Sequence, residues 1–334
     1  MGELVSTGRE VAIEIGAMPI LVRTDSPEFA RLLEDRYGGF VTAAPLRPVF
    51  ELEIELAPPG IINPDEEVRV RLESGRWVME RGDFHAEWDP ERRQGWVRQT
   101  ANPYAIDAVL RILHSLILAR EGGFLLHAAS AVRNGRAFLF SGVSGAGKTT
   151  ISRLAPSDVV LLTDEISYVR EGRIQDSGVR SQESEVRSQK SEVGSENEYS
   201  CGGLAESQDL SVPLGGTAER LAAPDTSSLA PDTWHLAPAF EAFGTPFAGE
   251  LARVGENMRA PLAALYLLAQ GPENRVEPVG DAEAARGLLR NILFFARDEE
   301  LVRMIFQTVC DFVRRVPVRR LVFTPDARAW ELIT

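Results

Sequence analysis

The segment from residue 137 to 150 reads Ala137-Phe138-Leu139-Phe140-Ser141-Gly142-Val143-Ser144-Gly145-Ala146-Gly147-Lys148-Thr149-Thr150. From Gly142 onward it fits the pattern G-x-x-x-x-G-K-[ST], with an apolar run before it and a short helical run after it. In such a loop, glycines let consecutive backbone amides surround a phosphate, the lysine bridges the outer phosphates, and the next hydroxyl faces Mg²⁺. We therefore predict that residues 142–150 bind the phosphates of a nucleotide, with Lys148 on the phosphates and Thr149 on the metal.

Lysine is almost absent from this chain of 334 residues. It occurs at Lys148 and Lys190, and the rest of the 36 Lys and Arg residues are arginine. A chain that keeps one lysine in the loop and uses arginine elsewhere indicates a need for an ammonium at that position. The alternative, a chance glycine-rich turn, does not account for the strand and the helix that flank the loop.

Two adjacent acids, Asp164 and Glu165, follow the apolar run Val159-Val160-Leu161-Leu162. A carboxylate at the end of a buried strand beside a phosphate loop commonly holds Mg²⁺ through water. A second carboxylate next to it can act as a base towards a hydroxyl or water. The alternative interpretation is an ordinary acidic end of a strand.

The connection between the loop and these acids is short, because Lys148 and Asp164 lie 16 positions apart. Asn134-Gly135, between two apolar runs, is typical of a tight hairpin, which makes the strand before the loop antiparallel to its predecessor. Most P-loop enzymes have longer, parallel crossovers at this point. The pattern therefore indicates an unusual subclass of P-loop protein.

These segments resemble the C-terminal catalytic domain of HPr kinase/phosphorylase, which shares its P-loop architecture with ATP-dependent phosphoenolpyruvate carboxykinase. The resemblance rests on Leu126-His127-Ala128-Ala129, the hairpin, the loop from Gly142 to Thr149, and Leu161-Leu162-Thr163-Asp164-Glu165. Gly244 to Glu250 and Pro261 to Leu268 further resemble a bacterial branch of HPr-kinase-like serine kinases. The implied fold is an α/β P-loop kinase domain of the HPr kinase/PEP carboxykinase-like type.

The resemblance also implies roles for single residues. Asp164 would hold the metal, and Glu165, with His127 nearby, would accept the proton from a substrate hydroxyl. His127 fits this layout because it lies 15 positions before the loop, one hairpin upstream. The glycine- and proline-rich turn that ends at Glu250 indicates a metal or substrate contact near the nucleotide, which makes Glu250 a candidate metal ligand together with Thr149 and Asp164.

The chain departs from the family pattern at two places. The family usually has two aspartates where this chain has Asp164-Glu165, and Ser-Glu after the loop lysine where this chain has Thr149-Thr150. The signature linked to phosphorolysis has no clear counterpart, so the reverse reaction is not predicted. The resulting hypothesis is ATP- and Mg²⁺-dependent transfer of the γ-phosphoryl group to a serine or threonine of a small protein or peptide. Two alternatives stay open: a nucleotide-binding switch or adaptor without phosphotransfer, and a small-molecule kinase.

The chain divides around a connecting helix predicted at 104–123. Residues 1–103 show strand-like alternation, as in Phe50-Glu-Leu-Glu-Ile-Glu-Leu56, and predict a smaller α+β domain with an antiparallel sheet. Residues 124–334 are predicted to form the HPr-kinase-like P-loop domain. A seven-residue repeat with one valine per copy lacks a coiled-coil seam and predicts a disordered insertion at about 175–232.

Composition limits the partners. The chain has 36 Lys and Arg against 49 Asp and Glu, a formal net charge of −13. Phosphate backbones and anionic membranes reward clustered cations, so we expect no nucleic acid and no membrane partner. The apolar runs are too short to cross a bilayer, and Cys201 and Cys310 are too few for a disulfide framework or a zinc site. These features predict a cytoplasmic protein, and the hexameric rings of the resembled family make a homo-oligomer an expectation.

Overall fold

The computed structural model describes residues 8–44, 47–58, 66–172, 240–251 and 254–334. The insertion predicted at about 175–232 therefore lies outside the described residues. Two β-sheets and the helices around them account for most of the described chain.

Alternation of apolar and polar residues builds the first sheet. Its strands are β1 (Arg9–Ile15), β2 (Met18–Thr24), β3 (Val41–Thr42), β4 (Phe50–Leu56), β5 (Arg69–Glu73), β6 (Arg76–Arg81), β7 (Phe84–Asp89) and β8 (Gln94–Gln99). They are ordered β3-β1-β2-β4-β8-β7-β6-β5 across the sheet. In β4, Phe50, Leu52 and Ile54 are buried and the glutamates between them are more exposed, as the sequence predicts. Helix α1 (Pro27–Tyr37) packs on β1 and β2.

The antiparallel sheet expected from the sequence is in fact mixed. Strands β5 to β8 form an antiparallel meander, but β4 runs parallel to both of its neighbours, β2 and β8. After β4 the chain crosses to the far edge of the sheet and returns strand by strand, so β8 arrives beside β4 in the same direction. The expectation of an antiparallel sheet is wrong for β4 because alternation determines which face a residue occupies and not the direction of the neighbouring strand.

The predicted connecting helix is α2 (Pro103–Arg120). The Asn102 side chain caps it by accepting a hydrogen bond from the Tyr104 amide, and Gly122, at φ +73°, follows its end. One continuous hydrophobic core contains residues of the first sheet, of α2 and of the second sheet. The boundaries 1–103, 104–123 and 124–334 therefore divide the secondary structure and not this core, and the separate domains stay a prediction.

The second sheet carries the glycine-rich loop. Its strands are β9 (Gly123–Arg133), β10 (Arg136–Ser141), β11 (Val159–Thr163), β12 (Ile166–Glu171), β13 (Phe240–Phe243), β14 (Arg259–Gln270), β15 (Arg275–Pro278), β16 (Ile292–Leu293) and β17 (Val318–Phe323). The main order is β10-β9-β12-β13-β14-β17-β15; β11 and β16 pair with β9, and β10 also pairs with β14. Asn134 and Gly135, with φ of 52° and 72°, form the tight hairpin predicted between β9 and β10.

Three further α-helices complete the described chain: α3 (Lys148–Arg153), α4 (Asp281–Leu289) and α5 (Glu299–Arg315). Short 3₁₀ helices lie at Gly38–Phe40 and Ala327–Leu332. None of the helices in the described ranges combines the length and apolar character that crossing a lipid bilayer requires. Helix α5 packs against α2 and β9, so the long helices cover the face of the second sheet that joins the common core.

Candidate active site

The glycine-rich loop joins β10 to α3 and closes on itself. The Ala146 amide donates to the Val143 carbonyl at 3.0 Å, and the Lys148 ammonium donates to the Gly142 carbonyl at 3.2 Å. Gly147 has a φ of +111°, and a Cβ at this position would come within 2.6 Å of Phe323 Cζ. Position 147 therefore requires glycine for two reasons, its left-handed backbone and the close approach of Phe323.

Two side chains outside the loop hold it in place. The Gln270 amide donates to the Gly145 carbonyl at 2.6 Å from the end of β14, the parallel neighbour of β10. The Trp330 indole donates to the Ile151 carbonyl at 3.0 Å and so fixes the first turns of α3. The loop is thus attached to the sheet on one side and to the C-terminal 3₁₀ helix on the other.

A cavity of about 340 Å³ opens in front of the loop, and we call it the phosphate cavity. Its lining combines the loop with the predicted catalytic and metal-binding residues: His127, Ser144, Gly145, Gly147, Lys148, Thr149, Thr150, Asp164, Glu165, Gly249 and Glu250. Three residues assigned to the nucleotide, Gly142, Val143 and Ala146, do not line it. Ala146 is buried under the loop and Val143 is 70% exposed. These two residues and Gly142 therefore shape the loop from outside the cavity.

His127 and Glu165 become neighbours through the pairing of β9 with β12. His127 lies opposite Ile166, and the Ala128 amide donates to the Glu165 carbonyl at 2.9 Å. Burial raises the pKa of the Glu165 carboxyl, an effect that Arg111 opposes. Burial also lowers the pKa of the His127 imidazole, and the positive charges of Lys148 and Arg111 lower it further. The cavity thus holds an imidazole with a lowered pKa and a carboxyl with a raised pKa. An increased proton affinity suits a carboxylate to general-base catalysis.

Asp164 anchors the loop that carries Glu250. Its carboxylate is 5% exposed and accepts the Gly249 amide at 2.8 Å and the Leu251 amide at 2.9 Å, one on each oxygen. This contact holds Glu250 so that the Thr149 hydroxyl donates to its carboxylate at 3.1 Å. The strand end at Asp164 and the glycine-rich loop are therefore joined through Glu250.

Lys148 lies between carboxylates at this site. Burial lowers the pKa of its ammonium, and the negative charges of Glu165 and Glu250 oppose that change. A partly buried ammonium with two carboxylates nearby is suited to an anionic ligand with several charges, because such a ligand can replace the carboxylates as its partner.

Arg111 of α2 belongs to the site, although no sequence pattern predicts a role for it. Its guanidinium lies 3.7 Å from Glu165 Oε2 and stacks over the ring of Phe247 at 5.0 Å from the centroid. Its Nε is buried with no hydrogen-bond partner among the described residues. The sequence signal for Arg111 is a charged residue between two apolar ones, Leu110 and Ile112, which are both fully buried. A charge at such a position needs a partner. Sequence alone does not say which partner it has.

In comparisons with known proteins, the chain matches no protein-family model and no curated protein. Within the described ranges, His, Cys, Asp and Glu side chains form no group of three or more that could hold a metal ion. A magnesium ion on a nucleotide does not require such a group, because phosphate oxygens and water supply most of its ligands.

Proposed function

We propose that the protein is a P-loop kinase that transfers the γ-phosphoryl group of ATP, with Mg²⁺, to a serine or threonine hydroxyl of a peptide or small protein. The observation that carries this proposal is the phosphate cavity. Lys148 and Thr149 of the loop line this cavity together with Glu165. A phosphate loop alone fits any nucleotide-binding protein, whereas a carboxylate base beside it fits group transfer. The order of hairpin, loop and acids agrees with a fold of the HPr kinase/PEP carboxykinase-like type.

The loop supplies the proposed phosphate contacts. Ser144, Gly145 and Gly147 to Thr150 line the cavity and can offer backbone amides to phosphate oxygens. Lys148 is the one Lys or Arg among the described residues that line it, and its ammonium is assigned to the outer phosphates. This assignment explains why a chain so poor in lysine has one at this position.

The residues present fit Mg²⁺, which prefers oxygen ligands and retains several waters. The Thr149 hydroxyl and the Glu250 carboxylate are oxygen donors 3.1 Å apart on the cavity wall, and we assign them to the ion. Asp164 fits less directly because each of its oxygens already accepts a backbone amide; its contribution would pass through water and through the placing of Glu250. When bound, the ion neutralises charge on the transferring phosphate.

Glu165 is assigned as the general base. Its carboxylate takes the proton of the acceptor hydroxyl as that oxygen bonds to the γ-phosphorus and the bond from phosphorus to the leaving oxygen of ADP breaks. The proton ends on Glu165, the phosphoryl group on the acceptor, and the negative charge on ADP. His127, whose pKa burial lowers, lines the same cavity as Glu165, and its neutral form can accept a hydrogen bond that orients the hydroxyl.

The test is transfer of label from [γ-³²P]ATP to peptides digested from the proteome of the organism that encodes the protein. We expect labelled peptides with wild type and Mg²⁺, and none with EDTA or with Lys148→Ala. Arg153→Ala removes an exposed cation from the same helix and serves as the matched control that retains transfer. Unlabelled peptides with wild type, or equal labelling by Lys148→Ala, would contradict the proposal.

A further inference from the structure

A second cavity lies beside α2 and is lined by Arg111, the ion-pair partner of Glu165. This α2 cavity, of about 390 Å³, is lined by Val68, Tyr104, Arg111, Ala248 and Phe295, among others. Arg111 reaches Glu165 from outside the phosphate cavity, and Ala248 directly precedes Gly249, which lines that cavity. In-line transfer places the acceptor opposite the leaving ADP. Because Arg111 lines the α2 cavity and pairs with Glu165, an acceptor bound in this cavity would lie within reach of the base.

A third and larger cavity continues from the second. This β5 groove, of about 600 Å³, is lined by residues 66–71 together with Phe295 and Arg297. It shares Val68 and Phe295 with the α2 cavity. The β5 groove is therefore continuous with the α2 cavity, and Arg111 of the α2 cavity contacts Glu165 of the phosphate cavity. A free amino acid or a sugar would not need a path of this extent.

The β5 groove runs along an open strand edge. β5 ends the strand order of the first sheet, and no described strand pairs with its outer side. Successive strand residues point to opposite faces, so a groove that touches Arg69, Val70 and Arg71 in succession follows the edge and not one face. Strand edges of this kind bind extended peptides through main-chain hydrogen bonds.

The geometry of the hairpin between β5 and β6 determines which backbone amides of β5 face away from β6. Ser74 and Gly75, with φ of 49° and 82°, form its two-residue turn, so Glu73 and Arg76 are the hydrogen-bonded closing pair. Hydrogen-bonded and non-hydrogen-bonded residue pairs alternate along an antiparallel ladder, so the backbone of every second residue of β5 is hydrogen-bonded to β6. The backbone groups of Val70 and Leu72 therefore point away from β6, towards the open edge.

We propose that the acceptor is an extended peptide that adds as a strand to the outer edge of β5. Its hydroxyl residue reaches Glu165 through the α2 cavity. This inference rests on the proposed phosphotransfer. Main-chain pairing gives this peptide its affinity, and the side chains of the two cavities select among sequences. The step transfers one phosphoryl group from ATP to the peptide hydroxyl, with the proton going to Glu165.

The experiment compares two acceptors, a degenerate nonapeptide library with a central serine and N-acetylserine amide. With wild type we expect a kcat/KM about 100-fold higher for the library, because only the library can pair with β5. Val70→Pro removes an outward N–H without breaking the ladder to β6, and we expect about a tenfold loss on the library and an unchanged rate on the short acceptor. Val70→Ala, which keeps the N–H, is the matched control and should retain the library preference.

Leu72→Pro against Leu72→Ala repeats the comparison at a residue 49% exposed, where proline costs less packing, and thermal melts show that each variant is folded. Equal rates on the two acceptors, or equal library losses for the proline and alanine variants, would overturn the peptide-strand inference while the kinase proposal stands. Failure of wild type to label either acceptor would overturn the kinase proposal and the inference with it.

Discussion

At the scale of single residues, two opposing effects act on the pKa of Glu165. Burial raises the pKa of its carboxyl, and the guanidinium of Arg111, 3.7 Å away, lowers it. In the proposed reaction Glu165 must be ionised to take a proton, so we expect the rate to fall as the pH falls through the pKa of Glu165. Arg111, which is not among the residues that line the phosphate cavity, is therefore expected to extend the active range towards lower pH.

Arg111→Gln should move the acid limb of the rate profile to higher pH. Arg111 opposes the effect of burial on the pKa of Glu165. Without its positive charge, the pKa of the Glu165 carboxyl rises further. The measurement is kcat/KM against pH, with Arg120→Gln at the exposed end of the same helix as control. An acid limb at the same pH in wild type and Arg111→Gln would show that this ion pair does not tune the base.

At the scale of elements, the segment between β13 and β14 depends on one carboxylate. Asp164 accepts two of its amides, and Gly249 packs so closely that a Cβ there would lie 2.8 Å from Glu165 Cβ. The position of Glu250 beside Thr149 follows from these contacts. The segment is thus held by a residue that the sequence analysis assigned to the metal.

Asp164→Asn should destabilise this segment. An asparagine offers one acceptor oxygen where the aspartate offers two, so one backbone N–H loses its partner at a cost of about 1–3 kcal/mol in the free energy of unfolding. Urea denaturation measures the loss. Glu165→Gln, the adjacent change that leaves both hydrogen bonds intact, is the control and should lower stability by less than Asp164→Asn does. Equal stability of Asp164→Asn and wild type would show that the two hydrogen bonds do not hold the segment.

At the scale of the whole molecule, the core that joins the two sheets contains a buried histidine. His114 of α2 is fully buried and packs edge-on against Phe50 of the first sheet and Tyr168 of the second. Its two ring nitrogens find no hydrogen-bond partner in the described part of the chain. Burial lowers its pKa from 6.5 to about 3, so it is neutral in the folded protein at physiological pH.

Folding stability should therefore fall in acid because of His114. The unfolded chain binds a proton at this residue below pH 6.5 and the folded chain only near pH 3, so stability rises with pH between these values. The contribution lost between pH 7 and pH 5 is about 2 kcal/mol, because the slope approaches about 1.4 kcal/mol per pH unit once the pH falls below 6.5.

His114→Leu should remove that loss, as urea unfolding at pH 7 and pH 5 would show. His85→Leu, at a half-exposed histidine of the first sheet, is the control and should retain it. An equal pH dependence in His114→Leu and wild type would mean that His114 titrates in the folded protein as it does in the unfolded one.

The sequence predicted features that depend on local pattern. The loop at 142–149, the Asn134-Gly135 hairpin and the acids after β11 follow from residue types at short spacing, and the structure places the loop and the acids around one cavity. The direction of β4 and the partner of Arg111 depend on segments far apart in the chain, which no local pattern records. Asp164 illustrates the same limit, because its two amide partners lie more than 80 positions away.

The most direct test of phosphoryl transfer at this site measures Mg²⁺–ATP binding by calorimetry and phosphate transfer by label in the same preparations. Glu165→Gln should bind Mg²⁺–ATP about as tightly as wild type and transfer phosphate about 100-fold more slowly, since general-base catalysis contributes 10²–10⁴-fold. Lys148→Ala should lose the binding itself. Tight binding by wild type without transfer, or transfer by Glu165→Gln at the wild-type rate, would contradict the assignment and favour a nucleotide-binding switch.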